Sequence, residues 1–223
     1  MADSLRILID NHVNGAMIQN VDFVYRKKEL FDPYQISSLT IICEKLKSIC
    51  PKGFMLGIEV MPCCTITALG IAKSVGLDFV KTSDFLTIKG KSKSELTQSR
   101  ALKILDYREK IKGGTIQLFV DILSRHKQHN LDLVMAAKIA NRIQADAITF
   151  DTGDHVKNLE NCKLIKDAID IPIYLSGGTN NINGNESIKI FDGIFVGSYF
   201  EGMDWGQQIN AFNVKNYMNS IDA

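Results

Sequence analysis

The chain has 223 residues, with 26 Lys and Arg against 25 Asp and Glu and a formal net charge of +1. That length suits one domain with a sizeable core, 1–223. The near-balanced, scattered charge argues against a nucleic-acid binder held by phosphate contacts. Hydrophobic residues at 45% and charged residues at 23% fit a globular protein. Lys, Asp or Gly breaks every apolar stretch before it reaches the roughly 18 residues of a membrane span. The opening MADSLRILID lacks the basic start and apolar centre of a signal peptide, so a cytoplasmic location is the default expectation.

The predicted elements alternate. A helix carries Leu5, Leu8, Ile9 and Val13 on one face, with Asp3 or Ser4 as its N-cap. The first strand, Ala16–Gln19, follows. The second helix presents Ile36, Leu39, Ile42, Cys43, Leu46 and Ile49 and leads into a strand at Phe54–Val60. A third helix, Thr67 to Val75, stops at Gly76, and Phe79–Thr82 is the third strand. Ser94 to Ile111 is helical, and the fourth strand is Ile116–Ile122. Leu131 to Ile143 is the fifth helix and Ala147–Asp151 the fifth strand. Leu159 to Ile169 is the sixth helix, and Pro172 starts the strand Ile173–Ser176. The seventh strand is Gly193–Val196, and a helix at Ala211 to Ile221 closes the chain. The strands read as near-continuous apolar runs, the pattern of parallel strands covered on both faces.

Strict βα alternation allows an open doubly wound sheet or a TIM-type (β/α) barrel. A dinucleotide-binding doubly wound fold would offer G-x-G-x-x-G after its first strand. The sequence has none, which favours the barrel, with seven strands predicted.

In such a barrel the chemistry gathers at the C-terminal ends of the strands. Ser176-Gly177-Gly178 and Gly197-Ser198 end the last two strands, and glycines there let backbone N–H groups approach an anion. These residues are the candidate phosphate-binding set; the alternative is two tight turns that need Gly for geometry alone. Asp121 follows Leu118-Phe119-Val120, with His126 five residues on, a pairing suited to acid/base work. Against it stands a structural Asp121 and a solvated His126. Asp151 opens Asp-Thr-Gly-Asp-His, a run that orients a substrate hydroxyl or makes an Asx turn. Glu59 and Lys81 end neighbouring strands and are placed to form an ion pair, structural or pKa-tuning. No cofactor is expected.

No metal site is expected either. His126 and His129 sit among Arg125 and Lys127, whose charge opposes a cation. The five cysteines, Cys43, Cys50, Cys63, Cys64 and Cys162, form no C-x-x-C pair, and adjacent Cys63 and Cys64 read as a reduced pair in a turn.

Taken in order, several segments resemble the BtpA family: Gly15-Ala-Met-Ile-Gln-Asn, Gly57-Ile-Glu-Val, Ala68-Leu-Gly-Ile-Ala and Phe79-Val-Lys-Thr. Phe119-Val-Asp-Ile-Leu-Ser-Arg-His, Ala145-Asp-Ala-Ile-Thr, Pro172-Ile-Tyr-Leu-Ser-Gly-Gly-Thr and Asp192-Gly-Ile-Phe-Val-Gly-Ser-Tyr-Phe continue the likeness. The resemblance implies a TIM-barrel-like fold related to phosphate-binding barrels, without naming a substrate. Asp121 and His126 keep the family pattern, with Arg125 in place of a Lys. Gln19-Asn20 stands where the family has Glu-Asn. Pro62 and Cys64 replace its Arg and Asp after the next strand, and Glu201 stands where a basic residue is frequent.

The resemblance also implies an earlier strand and loop before the first helix. A barrel without its first strand leaves two edges unpaired. Homo-oligomerisation or rearrangement at that seam is the expectation, or a shortened gene product. The leading functional expectation is a small-molecule enzyme acting on a phosphorylated or nucleoside-like ligand. The alternative is a non-catalytic assembly or stability factor.

Overall fold

The computed structural model describes residues 1–19, 32–60, 64–86, 100–123, 132–203 and 206–221. Among the described residues seven parallel strands alternate with helices: α1 (Ala2–Asp10), β1 (Gly15–Gln19), α2 (Pro33–Lys47), β2 (Met55–Glu59), α3 (Thr65–Val75), β3 (Phe79–Thr82), α4 (Ala101–Lys110) and β4 (Gln117–Leu123). Then come α5 (Leu133–Arg142), β5 (Ala147–Phe150), α6 (His155–Lys166), β6 (Ile173–Ser176), α7 (Gly184–Ile188), β7 (Gly193–Phe195) and α8 (Ala211–Ile221). The strand order is β1-β2-β3-β4-β5-β6-β7. A doubly wound sheet reverses its order at a switch point; this one does not, so the winding is that of a barrel.

The expected strands all form, each within one residue of its expected ends. The first helix starts earlier than expected. Met1 occupies the N-cap position, and Asp3 lies inside the first turn, paired with Arg6 at 2.9 Å. The expectation missed α7, whose five residues hold one turn and carry no apolar stripe. Residues 94–99 of the expected fourth helix lie outside the described residues.

The chain divides into two compact units. Gly15–Val120 form one, and Met1–Asn14 with Asp121–Ala223 form the other. In the first, α2, α3 and α4 bury Leu39, Cys43, Leu46, Ala68, Leu69, Ile71, Ala72 and Ile104 beside Leu56, Ile58, Val80 and Leu118 of the strands. In the second, α5 and α6 bury Ala136, Ala137, Ala140, Leu159, Cys162 and Ile165. Phe200, Val214 and Tyr217 form a further cluster, against which Ile7, Leu8 and Val13 pack. The apolar face of α1 therefore finds its cover at the C-terminal helix.

One device recurs in both units. Asp78, just before β3, accepts from Leu56 N–H and Lys47 Nζ, each at 2.7 Å, and its own N–H donates to Leu56 O at 2.8 Å. Asp192, just before β7, accepts from Ile173 N–H at 2.8 Å and Lys166 Nζ at 3.1 Å, and its N–H donates to Ile173 O at 2.9 Å. Each aspartate ties the start of its own strand to the start of the preceding strand and to the last turn of the helix that leads into that preceding strand. The strand starts are thereby fixed, and with them the level of the opposite, C-terminal ends.

Two strand glycines lie beneath neighbouring rings. A β-carbon on Gly57 would meet the Phe79 ring at 2.3 Å, and one on Gly193 would meet the Tyr174 ring at 2.2 Å. Phe79 in turn packs on Phe119, and Tyr174 on Phe195, with ring centroids 4.9 and 5.8 Å apart.

Candidate functional site

Side chains alternate between the two faces of a strand. In the Gly15–Val120 unit the register pairs Gln19 with Glu59 and Ile58 with Val80, so Gln19, Glu59 and Lys81 share one face at successive strand ends. Lys81 Nζ donates to Glu59 Oε1 at 3.2 Å and Oε2 at 3.3 Å, and Gln19 Nε2 donates to Oε2 at 3.1 Å. The Lys81 side chain is 6% exposed and that of Glu59 13%. The expected ion pair therefore exists and is largely withdrawn from water.

In the other unit Asp121 lies two residues inside β4. The strand runs on to Leu123, whose carbonyl accepts from Asp151 N–H at 2.9 Å, because Ile122 and Leu123 continue the apolar run. Asp121 is consequently a buried strand residue rather than a rim residue. Its Oδ1 accepts from Thr149 Oγ1 at 3.1 Å. Thr149 is fully buried in β5; within Ile-Thr-Phe it read as another apolar-run residue, so its polar role went unnoticed. His126 and His129 lie outside the described residues, as does Cys63.

Asp151 follows β5 and forms the Asx turn: its Oδ1 accepts from Gly153 N–H at 2.8 Å and from Asn158 Nδ2 at 3.0 Å. Asn158 Oδ1 in turn accepts from Thr152 N–H and Oγ1, both at 2.8 Å. Asn158 is nearly fully buried on α6, and only contact geometry could single it out among exposed helical asparagines. Asp151 Oδ2 lies 3.8 Å from the position of a β-carbon on Gly177, which brings this carboxylate to the end of the neighbouring strand.

Ser176 ends β6 opposite Phe195 of β7. Gly177 and Gly178 follow at φ +103° and +77°, a conformation that glycine adopts without penalty. Asn183 Nδ2 steadies the turn by donating to Gly178 O at 3.2 Å. Thr179 then turns inward, where its hydroxyl meets Tyr217 Oη at 3.2 Å. After β7, Gly197 O accepts from Phe200 N–H at 2.8 Å and Ser198 O from Met203 N–H at 2.6 Å. The turn thus engages carbonyls and leaves N–H groups at its start. Gly178, Gly197 and Ser198 are exposed, and their N–H groups donate to no acceptor among the described residues. Adjacent strands lie about 4.8 Å apart, so the two turns stand side by side. Among the described residues no group of three or more His, Cys, Asp or Glu is placed to hold a metal ion.

The BtpA family model matches residues 2–223. The chain belongs to the BtpA family. An uncharacterised protein of Archaeoglobus fulgidus is 30% identical over 74% of this chain and 67% of its own length. An uncharacterised mitochondrial protein of Caenorhabditis elegans is 23% identical over 97% of this chain and 81% of its own. The photosystem I biogenesis protein BtpA of Synechocystis is 25% identical over 83% of this chain and 66% of its own. Among solved structures, tryptophan synthase from M. tuberculosis superposes with a TM-score of 0.67 at 9% identity, over all of this chain and 87% of its own. Thiamine phosphate pyrophosphorylase from Pyrococcus furiosus does so at 0.65 and 14% identity, over 99% and 89%. Phosphoribosyl anthranilate isomerase from Thermotoga maritima gives 0.63 and 14%, over 100% and 94%. At such identities the likeness shows the fold, which is of TIM-barrel type. Among the described residues no helix is long and apolar enough to cross a membrane.

Proposed function

We propose that this BtpA-family protein binds a phosphorylated small molecule, its phosphate held by the backbone N–H groups that follow β6 and β7. The observation that carries the reading is the pair of adjoining turns, in which Gly178, Gly197 and Ser198 present N–H donors with no acceptor among the described residues. Ser176 and Gly177 complete the cradle. An anion needs several converging N–H donors, and the loops after the last two strands are where barrels of this type hold phosphate. Two of the structural neighbours act, by their names, on phosphate-bearing molecules: thiamine phosphate pyrophosphorylase and phosphoribosyl anthranilate isomerase.

Asp121 and His126 are the acid/base pair we assign to any reaction on that ligand. Asp151, through the oxygen near Gly177, is the residue that orients it. The Glu59–Lys81 ion pair is the catalytic candidate of its own unit.

Thermal shift with phosphosugars and nucleotides tests the binding. A ligand at 100-fold excess over its Kd adds about 2.7 kcal/mol, about 5–10 °C in Tm at this size. A β-carbon on Gly197 meets nothing within 4 Å, so Gly197→Ala leaves the fold intact while placing a methyl in the cradle. Its expected effect is about tenfold weaker binding, as the added methyl holds the phosphate off one backbone N–H and weakens a charge-assisted hydrogen bond. Equal binding by Gly197→Ala and the parent chain overturns the placement.

The second reading is a non-catalytic assembly or stability factor, favoured by the name of the Synechocystis relative. No thermal shift with any phosphorylated compound, together with a protein partner retained in pull-downs, selects it.

A further inference from the structure

The turns after β6 and β7 leave the sheet separately, and the register between their strands runs only as far as Ser176 and Phe195. Beyond that pair, strand pairing does not set how far the donors of one turn stand from those of the other. For an anion held by both turns, that distance matters. Charge-assisted N–H bonds to oxygen form at about 2.7–2.9 Å, so a shift of about half an ångström in one turn takes its donors out of range.

One buried side chain touches both turns. Tyr217 of α8 is 3% exposed. Its hydroxyl donates to Thr179 Oγ1 at 3.2 Å, and Thr179 directly follows Gly178. Burial pushes the phenol up from its ordinary value, so it keeps the proton that this bond needs. The Tyr217 ring meets Phe200 edge-on, with centroids 5.4 Å apart and planes at 90°, and Phe200 N–H donates to Gly197 O at 2.8 Å. The same ring lies 2.9 Å from the position of a β-carbon on Gly184, the residue after Asn183, whose side chain holds Gly178 O. Asn213, one turn earlier on α8, strengthens the grip by donating through Nδ2 to Tyr199 O at 2.8 Å. A phenylalanine at 217 would fill the apolar cluster with Phe200 and Val214 equally well. The hydroxyl adds only the bond to the turn after β6.

We propose that Tyr217 is a positioning residue for phosphate. It sets the spacing between the two turns, and so the convergence of the Gly178, Gly197 and Ser198 N–H groups, without touching the ligand. This role rests on the phosphate reading above and adds to it the side chain that makes two separate turns one site.

Calorimetric titration of the full chain with inorganic phosphate, well below the Tm of each variant, tests it. Tyr217→Phe keeps the ring and removes the bond to Thr179, and is expected to weaken phosphate about five- to tenfold. Thr179→Val removes the same bond from the other side and is expected to give a similar loss. The double variant is expected to bind no more weakly than either single one, because both act through one contact. Ile165 is fully buried in the last turn of α6, where β6 begins rather than ends. Ile165→Ala is expected to lower Tm by more than Tyr217→Phe does and to leave phosphate affinity unchanged, which a purely structural role for Tyr217 would not predict. Saturable phosphate binding by the parent chain, matched by Tyr217→Phe and Thr179→Val, overturns the positioning role and leaves the cradle standing. Additive losses in the double variant, or an equal loss in Ile165→Ala, overturn it as well. Absence of phosphate binding by the parent chain overturns both the role and the cradle.

Discussion

Lys81 and Glu59 show how one ion pair behaves at the end of a parallel sheet. Both side chains are mostly withdrawn from water, so removing one charge strands the other. Gln19 offers Glu59 only a neutral donor in compensation. Lys81→Met is therefore expected to destabilise the fold by about 3 kcal/mol, measured by urea denaturation, and the double variant with Glu59→Gln is expected to recover part of the loss. If Lys81→Met leaves both stability and ligand binding unchanged, the pair is neither structural nor functional. The sequence revealed this pair because strand alternation sets residue against residue once the register is known. It hid the contact of Tyr217 with Thr179, because the two residues come from distant elements and no spacing rule links them. Asp121 was visible as a carboxylate near a strand end. Its depth inside β4 was understated by one residue, since the expected strand stopped at Ile122 and the observed one includes Leu123.

The helices lie on the sheet through faces that exclude water almost completely. Cys43 on α2 and Cys162 on α6 are fully buried there. Burial pushes their thiols up, Cys43 to about 11 and Cys162 to about 12. A thiol whose pKa is higher folded than unfolded supports the native state below the unfolded value and withdraws that support as pH rises. Stability is thus expected to fall between about pH 9 and 12, more shallowly in Cys162→Ala, as followed by urea midpoints across that range. An unchanged slope in the variant would show that Cys162 does not contribute. Helix positions were legible from their apolar stripes: α3 ends at the expected Val75, and the other ends of α2 and α3 lie two or three residues from expectation. The aspartates that begin β3 and β7 were not. Asp78 and Asp192 each sit among apolar neighbours as an ordinary turn residue, and their clamping role emerges only when the preceding strand and helix are in place.

For the chain as a whole, the alternation of apolar runs and amphipathic stretches was enough to give the winding. Parallel strands buried on both faces carry that pattern in their composition, and it is independent of loop detail. Among the described residues the seven strands also followed, in the order β1 to β7. End strands present unpaired backbone groups that soluble proteins usually cover. We expect a second copy of the chain to provide that cover. Light scattering at micromolar concentration should then return a multiple of 24.9 kDa, and a monomer mass held across a concentration series would rule it out. Self-association and ligand capture are separate readings, and either can fail without the other.

The glycines beneath Tyr174 and Phe79 carry a consequence for how such a sheet can change. Each ring occupies the volume that its neighbour's missing side chain vacates. Bulk can therefore migrate across the gap only as an exchange: a larger residue at 193 demands a smaller one at 174, and the same holds for 57 and 79. A lineage that trimmed Tyr174 first would open a hollow on this face before any residue arrived to fill it, and new ligand shapes could be admitted during that interval.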